Sequence, residues 1–194
     1  EVYGMHNWPG RPVGSFAIRS GAFFAATDIW DIEIEGKGGH AAKPQETIDS
    51  IVVGSTLVLA LQTIASRNAE PIGQIVVSVT SFETSSKAFN VIPQRVHLKG
   101  TVRTMSGEMR DLAETRMKEI SAGIAATYGA KIEVNYKRNY PVMVNHEEHT
   151  AYAAEAARAV SGDCSEAPLV MGGEDFAFML EERPGAYILV GNGD

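Results

Sequence analysis

The side chains best equipped for chemistry stand in a handful of short, glycine-rich stretches. His6 lies in Gly4-Met-His-Asn-Trp-Pro9. Flanking glycine and proline predict irregular backbone, where binding residues concentrate, and imidazole is a common nitrogen ligand for zinc and related ions. No HExxH, no CxxC and no carboxylate at helical spacing accompanies it, so a loop histidine bonded to a neighbouring carbonyl is the simpler explanation from spacing alone. His40 lies in Gly38-Gly-His-Ala-Ala-Lys-Pro44. Glycines permit close backbone approach, and an imidazole held there can donate a hydrogen bond to charge developing on a substrate oxygen; a solvated loop histidine explains it equally.

Asn90, in Asn90-Val-Ile-Pro93, falls in the connection between two strands, where Asn serves as a turn former tolerant of positive φ. Arg103 shares the polar face of its strand with Arg95, His97 and Lys99. That face reads as a solvated surface or, more sharply, as the place of a guanidinium fork for a carboxylate; His97 is assigned no role. Glu174 and Asp175 follow two glycines and precede Phe176. They suit a support for metal ligands, or more simply the positive end of a helix dipole. His146 and His149, spaced i,i+3, form half of a metal site with no third ligand in view and are taken as surface residues.

Regular elements must hold these groups. Residues 1–26 read as loop and short strand with little periodicity. From Thr27, Trp30, Ile32 and Ile34 alternate with Asp31, Glu33 and Glu35, the period-2 pattern of a half-buried strand. Pro44 opens a helix expected to reach about Arg67, apolar nearly all round and therefore needing burial on two sides, one of them a second subunit. Strands follow at 74–82 and 94–104, then a helix capped by Ser106 and running to about Tyr128, then a strand alternating Ile132, Val134 and Tyr136. This strand–helix–strand–strand–helix–strand order predicts an α+β fold: a ferredoxin-like βαββαβ unit over residues 27–140, inserted in a partial α/β domain made of residues 1–26 and 141–194. A helix over Ala151–Val160, a short one after Gly172-Gly-Glu-Asp-Phe, and a closing strand complete the reading.

Composition narrows the function. Seventeen Lys and Arg against 24 Asp and Glu give a net charge of −7, with the basic residues scattered, which argues against nucleic acid as partner. No stretch reaches the roughly 18 uninterrupted apolar residues of a membrane span, Ile51–Ala65 being broken by Gly54, Ser55, Thr56, Gln62 and Thr63. The single cysteine, Cys164, fits a reducing, cytoplasmic location. The chain opens on Glu1 without a secretory leader and closes with a buried-type strand running into Asp194, ends expected of a cut chain.

Five stretches in order, Gly4-Met-His-Asn-Trp-Pro-Gly-Arg-Pro-Val-Gly14, Gly36-Lys-Gly-Gly-His-Ala-Ala-Lys-Pro44, Asn90-Val-Ile-Pro93, Gly100-Thr-Val-Arg-Thr104 and Met171-Gly-Gly-Glu-Asp-Phe176, make the chain resemble a known family. It is the amidohydrolase branch (hippurate hydrolases, aminoacylases, auxin-conjugate hydrolases) of the dinuclear-metal aminoacylase/carboxypeptidase family, and the resemblance covers essentially the whole chain. It implies that His6 ligates one of two divalent ions (Zn, Mn, Co or Ni). It also implies that His40, on a dimerising ferredoxin-like lid, reaches the partner subunit's active site to stabilise an oxyanion, and that Asn90 and Arg103 hold the substrate carboxylate. The implied reaction is hydrolysis of small N-acyl amino acids by a homodimer. Gln45 stands where many relatives have histidine. The family's Cys-Gly-His-Asp and Glu-Glu-Gly-Gly stretches and its later metal-binding histidine have no counterpart in this chain. The metal site it carries is therefore incomplete, and a non-catalytic dimerisation module is the alternative reading. A ferredoxin-like small-molecule sensor ranks third.

Overall fold

A computed structural model describes residues 1–193; Asp194 lies outside the described residues. The chain divides into two compact units, Glu1–Thr27 with Tyr140–Asp194, and Asp28–Asn139. Three strands, β1 (Val2–Trp8), β2 (Phe16–Ile18) and β3 (Gly21–Phe24), occupy the opening segment expected to be loop and short strand. Parallel pairing of all seven β1 residues with a distant strand makes that segment regular, an effect no local period reports.

The second unit starts on β4 (Ala26–Glu35), continues through the short β5 (Gly39–His40), α1 (Ser50–Leu61), β6 (Ile75–Thr84), the short β7 (Val91–Ile92), β8 (Arg95–Thr104) and α2 (Gly107–Tyr128), and closes on β9 (Lys131–Arg138). Its main sheet has the order β6-β8-β4-β9, with β6 antiparallel to β8 and β9 antiparallel to β4. The period-2 alternation is realised in β4: Trp30, Ile32 and Ile34 are buried, as are Val96, Leu98 and Val102 of β8. Val53, Leu57 and Leu61 of α1 and Ala113 and Met117 of α2 pack on them. Each such aliphatic side chain contributes about 1.5–3 kcal/mol of burial energy.

Helix α1 starts later than Pro44 suggests. Pro44–Glu46 forms only a 3-10 turn, and Asp49 caps the helix by accepting from Ile51 N at 2.9 Å and Val52 N at 3.3 Å. The capping carboxylate fixes the start because it satisfies donors that the turn before it leaves free. Beyond Leu61 the chain continues as a π turn, Ile64–Asn68. Ser50–Asn68 is then 19 residues long and apolar enough to cross a membrane by length and composition, contrary to the expectation that no stretch is. Its Val53, Leu57, Leu61 and Ile64 are fully buried within the unit, the placement of a core helix. Ser106 caps α2 as expected, accepting from Met109 N at 3.2 Å, and Gly129 ends it with φ 70°.

At one end of this sheet sits a buried carboxylate. Asp28 is 1% exposed and accepts Arg110 Nε on both oxygens at 3.1 and 3.0 Å, the Tyr136 hydroxyl at 2.8 Å and Asn139 N at 3.2 Å. Burial and the Asp28 charge push the Tyr136 hydroxyl well above the usual phenol range, which keeps it a donor.

The first unit is completed by β10 (Met143–Asn145), α3 (Glu147–Ser161), β11 (Ser165–Glu166), α4 (Phe176–Glu182) and β12 (Gly185–Gly191). Its sheets run β1-β12-β2-β11 and β10-β3, around a core of Phe23, Phe24, Met143, Tyr187 and Leu189. Helix α3 begins four residues before Ala151, with His146 at its N-cap position.

Removing one partner of a buried ion pair strands the other charge. Arg110→Met should therefore lower unfolding free energy by about 3–5 kcal/mol, read as a fall in the urea midpoint with an unchanged slope. An unshifted midpoint would mean that the pair contributes nothing.

Candidate functional site

His40 and Asn90 are brought together. β5 and β7 form a two-stranded ribbon in which His40 lies opposite Val91, and the Asn90 carbonyl accepts from Ala41 N at 3.0 Å. The glycines before His40 serve this ribbon: a Cβ on Gly38 would lie 2.9 Å from the Ile92 carbonyl oxygen, and one on Gly36 would lie 2.2 Å from that of Ile48. The close approach they allow is to the unit's own backbone.

Ala42 N donates to His40 Nδ1 at 3.1 Å. A backbone N–H can only donate, so this nitrogen is the unprotonated one, and the neutral ring carries its hydrogen on Nε2. His40 is exposed and thus presents an outward Nε2–H donor. Asn90 is exposed, and its amide has no partner among the described residues. No described non-glycine residue has positive φ. Asn90 does lie in a turn, as expected, but its backbone there has no positive φ that would call for Asn. Phe89, passed over in the sequence, stands beside it at 107% relative exposure.

Arg103 lies elsewhere. Counted from Arg95, beside which the ribbon is tied by Gly38 N to Gln94 Oε1 at 3.0 Å, eight strand residues put it about 26 Å away. His40 and Arg103 of one chain cannot touch the same amino-acid-sized molecule, and Asn90 belongs with His40. Within one chain, Asn90 and Arg103, the two residues expected to hold a substrate carboxylate, thus stand toward opposite ends of β8.

Among the cations on the polar face of β8, Arg103 stands out. Arg95 pairs with Glu33 at 3.3 Å and Glu35 at 3.2 Å, His97 with Asp31 at 3.3 Å, and Lys99 with Glu83 at 3.8 Å. Arg103 has no acidic partner among the described residues; its Nη1 donates to the Thr101 hydroxyl and to the Val102 carbonyl at 3.0 Å. Its Nε–Nη2 edge stays free, the pair of parallel donors that matches a carboxylate.

In the other unit, His6 is on β1, paired with Leu189, and not on irregular backbone as its neighbours suggested. Its Nδ1 lies 2.5 Å from the Asn7 carbonyl oxygen and its ring meets Trp8 edge-on at 5.6 Å. A carbonyl only accepts, so Nδ1 carries the hydrogen and Nε2 keeps its lone pair, the state of a ligating imidazole. It stands alone: no group of three or more His, Cys, Asp or Glu able to hold a metal occurs among the described residues. His6 suits one ligand position, and a two-ion centre needs several more.

His146 and His149 do not form a metal pair. His146 Nδ1 accepts from Gly185 N at 3.2 Å, and His149, expected at the surface, is only 8% exposed, with the rings of Tyr3 and Tyr152 within about 6 Å of it. Glu174 accepts the Tyr187 hydroxyl at 2.7 Å and Phe176 N at 3.4 Å, while Asp175 holds the N-cap position of α4 with no side-chain bond. Burial, and next the Glu174 contact, push the Tyr187 hydroxyl above its usual range.

Residues 1–194 match the sequence model of Peptidase family M20/M25/M40. An N-acetylcysteine deacetylase of Bacillus subtilis is 36% identical over 190 residues, covering 98% of this chain and 50% of that protein. A hippurate hydrolase of Campylobacter jejuni is 36% identical over 195 residues, covering 98% and 50%. A solved Bacillus subtilis structure described as a dinuclear metal binding peptidase of the M20 family superposes with TM-score 0.80 at 32% identity, over 97% of this chain and 47% of that one. The chain spans about half the length of the curated relatives it matches.

The ring assignments can be read directly. Long-range ¹⁵N–¹H correlation spectra should show the Nε2–H tautomer for His40 and the Nδ1–H tautomer for His6. The reverse pattern at either ring would remove the role assigned to its outward nitrogen.

Proposed function

Since this chain belongs to peptidase family M20/M25/M40, a family of hydrolases whose matched relatives include amidohydrolases and deacetylases, we propose that it forms part of a metal-dependent enzyme cleaving the amide bond of N-acyl amino acids. The observation that carries the substrate class is Arg103: a part-buried cation with no acidic partner and a free two-donor edge among the described residues suits a substrate with a free α-carboxylate.

Asp28–Asn139 is read as the lid, of ferredoxin-like type, a reading supported by its element order and by the sheet order β6-β8-β4-β9. In this reading the His40 Nε2–H donates to the oxyanion of the tetrahedral intermediate, a role typically worth about 2.7–4 kcal/mol. Asn90, next to this ribbon and with no amide partner among the described residues, orients the substrate beside it. When bound, divalent ions such as Zn, Mn, Co or Ni would supply a water of lowered pKa and polarise the acyl carbonyl. His6 Nε2 offers one ligand to them, and the remaining ligands and the general base lie outside this chain.

Because about 26 Å separates the ribbon from Arg103 along β8, the reading requires two copies: His40 and Asn90 from one, Arg103 from the other. A homodimer agrees with the exposed Ile51, Val52 and Leu59 of α1 and Val76 and Phe82 of the edge strand β6. One observation favours the alternative, that the 194 residues by themselves are a dimerisation module without activity: no group of three or more His, Cys, Asp or Glu able to hold a metal occurs among the described residues.

Complementation tests the arrangement. In the intact enzyme, His40→Ala should lower kcat roughly 100- to 1000-fold, and Arg103→Ala should mainly raise KM for carboxylate substrates. Mixed and allowed to exchange subunits at substrate concentrations below KM, the two variants should recover roughly a quarter of wild-type activity, since half of randomly assorted dimers are mixed and each holds one complete site. No recovery in dimers shown to have exchanged would rule out sharing between copies.

A further inference from the structure

We propose that Thr101 is a positioning residue that sets which edge of the Arg103 guanidinium faces the substrate; this rests on the carboxylate role given to Arg103 above. The two side chains stand two residues apart on the polar face of β8, so the pleat points them the same way. A hydroxyl has one hydrogen to give. That of Thr101 goes to the Asp28 carbonyl at 2.7 Å, so toward Arg103 the same oxygen can only accept. Arg103 Nη1 spends its hydrogens on this oxygen and on the Val102 carbonyl at 3.0 Å. Both contacts hold the same nitrogen, so the guanidinium is pinned by one corner and its Nε–Nη2 edge is turned away from the strand.

The anchor itself is fixed. Threonine is β-branched and stiff at χ1, and its acceptor belongs to the residue whose carboxylate is held by Arg110 Nη2 at 2.5 Å, Tyr136 at 2.8 Å and Asn139 N at 3.2 Å. A chain of bonds with one forced direction thus runs from the buried Asp28 through Thr101 to Arg103. An arginine without it would sample several rotamers, only some of which present two parallel donors. Lys99, one position further along the same face, has a carboxylate partner at 3.8 Å instead of a hydroxyl.

The test compares wild type, Thr101→Val and Thr101→Ser in the intact, metal-loaded enzyme. The substrates are an N-acyl amino acid and its α-carboxamide, which share the scissile bond. Loss of the hydroxyl should raise KM for the carboxylate substrate about 5- to 20-fold with kcat within about twofold, and leave kcat/KM for the carboxamide unchanged. Serine should restore the carboxylate KM. Thr101→Ala provides the same comparison should valine impair folding. Equal losses on both substrates, or an unmoved carboxylate KM, would overturn the proposal. Arg103→Ala run alongside separates the two levels: if it leaves discrimination between the substrates intact, the carboxylate role itself is wrong.

Discussion

Asp28 is a carboxylate taken almost wholly out of water, and the unit that bears His40, Asn90 and Arg103 is arranged around satisfying it. A charge in that position is tolerable only with a full set of donors. Those donors come from α2, from β9 and from the backbone just after β9, so one acid on the first strand ties down the last helix and the last strand. The apolar faces of β4, β8, α1 and α2 stabilise the layering, but hydrophobic contact is non-directional. The hydrogen bonds to Asp28 supply direction, and through its carbonyl they carry that direction onto the polar face of the sheet.

That face separates two kinds of cation. Arg95, His97 and Lys99 are matched by acids on neighbouring strands, and exposed pairs of this sort contribute little to stability. Among the described residues Arg103 is matched only by neutral oxygens, which hold it in place and leave its charge available. At the far end of the sheet the ribbon does the corresponding work for His40, whose ring is held by one backbone N–H on Nδ1. His6, in the other unit, is held through the same nitrogen by a carbonyl and so offers the opposite chemistry on Nε2, a lone pair in place of a hydrogen. The two histidines thus present different outward nitrogens because of the polarity of one neighbouring backbone atom each.

Much of this was legible in the order of residues. Alternation in Thr27–Glu35 and Gln94–Thr104, and Ser106 before an amphipathic run, marked β4, β8 and α2, because burial on one face writes its period directly into a strand or helix. The stretches around His6, His40, Asn90 and Arg103 were visible too, as was the family they resemble. What escaped was anything dependent on partners remote in sequence. β1 looked irregular because its regularity comes from pairing with β12, and α1 begins at Ser50, after the Asp49 cap, because a carboxylate cap outweighs a proline.

By itself the sequence determined which faces are apolar, which side chains could act, and the family to which the chain belongs, since these depend on residue type and local period. Only the tertiary structure decided that Asn90 keeps company with His40, that both lie at the opposite end of the sheet from Arg103, and that Arg103 is the cation of its face left without an acid among the described residues. Those outcomes follow from which strands lie side by side. Strand order and register are set by the packing of whole faces and the satisfaction of a buried charge, neither of which a residue's own neighbours in sequence encode.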